Sequence, residues 1–176
     1  MDENNRRMVT NFRLQMSILA EALLEQNEPE KALDICEEMI VRMPAKNVPL
    51  SRVLMTAQGI LMELSVAEEL PGRTVHELPA ERRARARELA IEVTRAMFDI
   101  QSDAIKYYYS LDANRFQSVA QERRIVKQVA DVMVQTASLY MPEDSLGVEL
   151  AAELEALEAM MAEEEARLAN LGSFKF

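Results

Sequence analysis

The amino-acid sequence predicts an all-α fold, and three observations carry that expectation. Helix formers dominate: 49% of the 176 residues are apolar, yet aromatics make up only 5% and tryptophan is absent. Alanine, leucine, methionine and glutamate fill the chain instead. Apolar residues recur at three- and four-residue intervals along nearly every segment. The breaks fall at prolines, and only four glycines are present to shape the tight turns that strands need. The expected architecture is a set of antiparallel helical hairpins, forming a tetratricopeptide-like right-handed array or an irregular bundle of about six helices.

The first helix is expected to start at Asn11, a residue suited to an N-cap, and to run to about Gln26, with Met16, Leu19, Ala20 and Leu23 on its inward face. Residues 1–10 then form a disordered or cloning-derived lead. Asn27-Glu28-Pro29 breaks the helix, and Pro29 opens a second in which Ala32, Ile35, Cys36, Met39 and Met43 form the apolar stripe before Pro44. A connection this short forces the two helices to lie antiparallel. Leu19-Ala20, Leu23, Ala32 and Pro44 fall at the large, small and proline places of a tetratricopeptide repeat, where a small residue at Ala32 allows close approach of the axes.

A third helix is expected over about Pro49 to Leu70, with Gln58-Gly59 at the small-residue place of a second, degenerate repeat. Pro71-Gly72 stops it, and 73–79 form a loop. A long helix follows from Ala80 to about Tyr109, then a break at Ser110-Leu111-Asp112. The next helix runs from Asn114 or Arg115 to Met141, turning Phe116, Val119, Val126, Ala130, Met133, Ala137 and Tyr140 inward, and Pro142 closes it. The helical domain therefore spans 11–141, and 142–176 form a C-terminal amphipathic helix. In that helix Leu150, Leu154, Leu157, Met161, Leu168 and Leu171 follow alternating steps of four and three, with Glu164 interrupting. Two readings of this seam stay open: packing on its own domain, or pairing with another chain, including a second copy.

Composition narrows the function classes. A net charge of −10 disfavours nucleic acid as a partner. No apolar run is long enough to span a bilayer, and the first eight residues lack the apolar core of a signal peptide. His76 is the sole histidine and Cys36 the sole cysteine, too few for a zinc or dinuclear carboxylate centre. His76 is read as a solvent-exposed loop residue and Cys36 as inert core. With no phosphate-binding glycine loop and no nucleophile elbow, no catalytic residue, metal or cofactor is expected. Arg82, Arg83, Arg85 and Arg87 form a basic cluster whose expected partners are the glutamates of the C-terminal helix. A polar partner or an anionic lipid surface is the alternative, with nucleic acid the least favoured. Tyr107-Tyr108-Tyr109 covers most of a helix end, anchoring the following break or offering a recognition patch.

Asn11-Phe12-Arg13, Leu19-Ala20, Ala22-Leu23, Ala32-Leu33, Pro44 and Asn47-Val48-Pro49 together resemble a bacterial family of multi-pass membrane proteins of unknown function. That family is similar to protein O-mannosyltransferases and carries a soluble helical tail. Tyr107 to Leu111 with Phe116 matches a later aromatic-rich segment, so the resemblance covers about Asn11 to Tyr140. The chain departs from the family where a second hairpin with a tyrosine pair is replaced by Gln58-Gly59 and the loop at 73–79. The resemblance implies a tail of a membrane-bound parent in the bacterial inner membrane, on the periplasmic side, that docks against its own membrane domain. It also implies sugar transfer from a lipid-linked donor in the parent, with no catalytic residue in this chain. A free-standing chain would instead be cytoplasmic.

The expected function is protein interaction or scaffolding, the partner being a protein or peptide, with acceptor docking for a glycosyltransferase as the rival. The candidate interaction residues are Asn11, Arg13, Asn47, Tyr107 and Tyr108.

Overall fold

A computed structural model describes residues 3–43, 54–66, 75–142 and 144–172. Every regular element among them is helical: α1 (Glu3–Glu25), α2 (Pro29–Arg42), α3 (Met55–Ser65), α4 (Ala80–Tyr109), α5 (Ala113–Ser118), α6 (Ala120–Tyr140) and α7 (Ser145–Gly172). The seventh helix arises because the expected fifth helix is interrupted at Val119, which separates α5 from α6. The residues divide into two compact units, Met1–Met97 with Leu139–Met141, and Phe98–Ser138 with Pro142–Phe176.

In the first unit α1 begins at Glu3, eight residues before the expected start, so Asn11 lies within the helix and is not its N-cap. The described part of the lead, from Glu3 on, is helical. At the other end of α1 the Asn27 amide donates to the Leu24 carbonyl at 2.9 Å and the Glu28 amide to the Leu23 carbonyl at 2.9 Å. Those two bonds are the Schellman pattern, and it requires a left-handed residue at the position Asn27 holds with φ of 58°. Asparagine tolerates that backbone better than any other residue bearing a Cβ. Pro29 then starts α2 where no amide donor is needed.

The two helices are antiparallel: Arg13 reaches the Met43 carbonyl, and four residues later Ser17 reaches the Met39 sulfur. Ala20, Ala32, Leu33, Cys36 and Met39 are buried in this unit, and α3 packs against both helices. Ala57, Ile60, Leu61 and Leu64 of α3 and Ala86, Leu89, Ala90 and Val93 of α4 complete its core. Gly59 does not serve close packing, since a Cβ there would meet nothing within 4 Å. Its neighbour Gln58 does the work instead: it is buried and donates to the Thr94 hydroxyl of α4 at 2.9 Å. The expected flanks of α3, at 49–53 and 67–72, and Pro44 lie outside the described residues.

In the second unit Asp112 caps α5, accepting from the Arg115 amide at 3.1 Å. α6 and α7 run antiparallel, as the order of their contacts shows: Ser138 with Gly147, Lys127 with Glu158, Arg123 with Glu165. Leu146, Leu150, Leu154 and Leu157 of α7 are buried, whereas Met161 and Leu168 are half-buried. The N-terminal half of the leucine seam is therefore spent within this chain. Of the residues expected inward on α5 and α6, Phe116, Ala130, Met133 and Ala137 are buried and Val119 and Val126 half-buried.

Gly147 is a point of close approach between α7 and α6. A Cβ there would lie 2.8 Å from the Ser138 hydroxyl and 3.0 Å from the Ser138 Cα. Gly147→Ala is therefore expected to lower stability by about 1–3 kcal/mol in denaturant melts. Ser138→Ala should recover little of it, because the backbone contact remains.

Candidate interaction surface

The surface of α1 is set by what the helix buries. Arg13, Ser17 and Ala20 form its inward stripe, at steps of four and three. Large apolar residues lie outward in return: Met8, Phe12, Leu14, Ile18 and Leu19 are between 39% and 55% exposed. Leu19, expected in the core, is about half exposed, and Met16 and Leu23 are half-buried. At about 100° per residue the outward apolar residues fall into two stripes roughly 120° apart. Met8, Phe12 and Leu19 form one, bordered by half-buried Met16 and Leu23, and Leu14 and Ile18 form the other. Each stripe sets large apolar side chains in a row along the solvent-facing helix.

Of the five candidate residues, two lie on α1 in the first unit and two on α4 in the second unit. Asn11 is exposed on α1 and, with Glu3, Arg6, Arg7 and Thr10, lines a shallow depression of about 290 Å³. Arg13, expected as a polar recognition residue, is buried at 1% exposure, and its guanidinium donates to the Met43 carbonyl just beyond the last turn of α2. A cation there meets the negative end of the helix dipole. Burial lowers the Arg13 pKa by desolvating its charge. Ser17 braces the same site by donating to the Arg13 carbonyl at 2.8 Å. Asn47 lies outside the described residues. Tyr107 and Tyr108 belong to the second unit, their rings 5.5 Å apart, and Tyr107 is 61% exposed.

Tyr109 is the tyrosine that anchors. It is buried, stacks edge-on against Phe116 at 5.2 Å, and donates to the Glu165 carboxylate at 2.9 Å. The Arg123 guanidinium lies 3.5 Å over the Phe116 ring and 3.4 Å from Glu165. Burial first, then the bond to Glu165, raises the Tyr109 phenol pKa, so it stays neutral. Lys127 bridges Asp131 and Glu158, and the bond to Glu158 leads in raising its pKa.

Arg82, Arg83 and Arg85 have partners other than those expected. Arg82 pairs with Asp34 and Glu37 of α2, and Arg85 with Glu37 at 2.7 Å and with Glu88 at 3.0 Å. The bonds to Glu37 and then Glu88 raise the Arg85 pKa. Arg83 donates to the carbonyls of Val66, His76 and Leu78, fastening the chain that leads into α4. Glu165 and Glu158 of α7 serve Arg123, Lys127 and Tyr109.

His76 is also not the exposed loop residue the sequence suggests. It is 7% exposed, and its Nε2 lies 2.9 Å from a Glu63 carboxylate oxygen. Its Nδ1 is buried without a partner. Among the described residues no group of three or more His, Cys, Asp or Glu side chains could hold a metal ion, and no helix is long and apolar enough to cross a membrane.

Arg13→Ala is expected to cost about 2–4 kcal/mol in thermal or denaturant melts, since it opens a cavity and strips the Met43 carbonyl of its donor. Asn11→Ala should stay within about 0.5 kcal/mol. Cys36 gives a pH dependence. Burial pushes its thiol up from about 9 to about 12, so the folded chain holds the proton more tightly than the unfolded one. This contribution to stability is complete below about pH 9 and is lost at up to about 1.4 kcal/mol per pH unit between pH 9 and 12. Cys36→Ala should flatten that decline, and the native thiol should resist disulfide reagents at pH 8 until the chain unfolds.

No family model matches the chain, and neither a curated protein nor a solved structure does. The chemistry of its surface is therefore read from its own residues.

Proposed function

We propose that this chain is a non-catalytic protein-interaction domain whose first unit docks an amphipathic helix of a partner protein along α1. The observation that carries the reading is the apolar stripe of Met8, Phe12 and Leu19, continued by Met16 and Leu23. It recurs at steps of four, four, three and four and covers more than four turns of α1. Helix-in-groove recognition needs anchors at such spacing. An unpaired stripe of this length has a cost in solubility that a purely structural helix would avoid.

The alternative of docking a sugar acceptor for a transferase finds less support. Small-ligand sites are concave, mostly apolar and enclose the ligand. The depression at Asn11 is shallow and lined by polar side chains from a single helix. The basic cluster is likewise engaged with α2 and with backbone carbonyls, which weighs against a lipid-headgroup role.

A helical-peptide display selection on the immobilised chain tests this reading. Binders should carry apolar residues at helical spacing and lose at least tenfold in affinity against Phe12→Asp with Leu19→Asp. That variant should melt within a few degrees of the parent, because both side chains are exposed. Selected binders indifferent to the double substitution, or no helical binders at all, would refute it.

A further inference from the structure

The second stripe of α1 has a pattern of its own. Arg7, Asn11, Leu14, Ile18, Glu21 and Glu25 recur at steps of four, three, four, three and four, which is a heptad seam. All six are exposed. The apolar pair sits at the middle, a cation at one end and carboxylates at the other. The arrangement is centred on position 16: Leu14 and Ile18 lie two residues either side of it, Asn11 and Glu21 five, Arg7 and Glu25 nine.

We propose that two copies of this chain pair through α1, antiparallel, about a two-fold axis beside residue 16. That operation sets Leu14 against Ile18 of the other copy, at the centre of the contact. It brings the Asn11 amide to the Glu21 carboxylate and the Arg7 guanidinium to the Glu25 carboxylate, twice each by symmetry. A parallel pair would instead face Arg7 with Arg7 and Glu25 with Glu25, so the charges themselves select the antiparallel register. The helix dipoles are also opposed in that orientation and attract. Arg7 is free to turn outward, since its contact with Glu3 is an exposed pair at 74% and 68% side-chain exposure and holds it weakly. Glu21 and Glu25 offer exposed carboxylates.

The Met8, Phe12 and Leu19 stripe lies on another side of α1 and stays open in this pair. The self-pairing therefore goes beyond partner docking and rests on different residues. With two apolar side chains per copy at its heart, the contact is small, and a dissociation constant on the order of 10–100 µM is expected.

Sedimentation equilibrium of the full chain over a concentration series tests it. The chain should pass from monomer to dimer, and no further. Ile18→Asp should weaken the dimer at least a hundredfold without moving the melting temperature by more than a few degrees. Arg7→Glu and Glu25→Arg should each weaken it about five- to tenfold at low salt, and R7E with E25R in one chain should restore it. A chain that stays monomeric into the millimolar range overturns the proposal, and so does a dimer indifferent to Ile18→Asp. A double charge reversal that fails to restore pairing overturns it as well. A monomer that still binds helical peptides through Phe12 would sink the self-pairing and leave the docking function standing.

Discussion

The rotational phase of α1 is the constraint from which the surface of this protein follows. Arg13 fixes it. Turning outward a guanidinium that is 1% exposed and donates to the Met43 carbonyl would strip that carbonyl of its donor and leave a cavity behind. Ser17 and Ala20 continue the same stripe with small side chains, so α1 and α2 approach closely where Ala32 and Cys36 face the core. Because the inward positions of α1 are taken by an arginine, a serine and an alanine, its larger apolar residues have nowhere to go but out. A helix of ordinary amphipathic design would have buried them.

The second unit reaches the same end by another route. There Leu146, Leu150, Leu154 and Leu157 of α7 are buried, and polarity is handled by a cluster in which one carboxylate, Glu165, answers both Tyr109 and Arg123. The guanidinium of Arg123 lies against two aromatic rings, which suits a weakly hydrated cation better than it would suit a lysine. Gly147 lets α6 and α7 close at one end of their contact, and Lys127 and Arg123 tie them further along. Nothing comparable to the exposed stripes of α1 is needed for this unit to hold together.

Much of this was legible in the sequence, and the failures have physical causes. The breaks at Asn27 to Pro29, the span of α4 and the break after Tyr109 follow from local backbone chemistry that a single sequence records. The interior of α1 was misread because apolar residues lie on several sides of it, and Arg13 and Ser17 look like surface residues by composition alone. Gln58 and His76 were missed for a related reason: each is buried against a group distant along the chain, Thr94 and Glu63 respectively. Arg82 and Arg85 were assigned the wrong acids because α2 and α7 are both rich in carboxylates, and only the fold chooses between them. Of the candidate residues, Asn11 stays on the surface and Arg13 leaves it, a distinction that turns on two positions of helical rotation.

Thiol accessibility along α1 tests that rotation most directly. Single cysteines at positions 12 to 20, in dilute solution and with Cys36 replaced by alanine, would be labelled with a small maleimide and their rates compared. Fast labelling at 12, 14, 18 and 19 with protection at 13, 17 and 20 is the predicted pattern. Protection at 19 with fast labelling at 13 and 17 would contradict it, and the exposed apolar stripes would go with it.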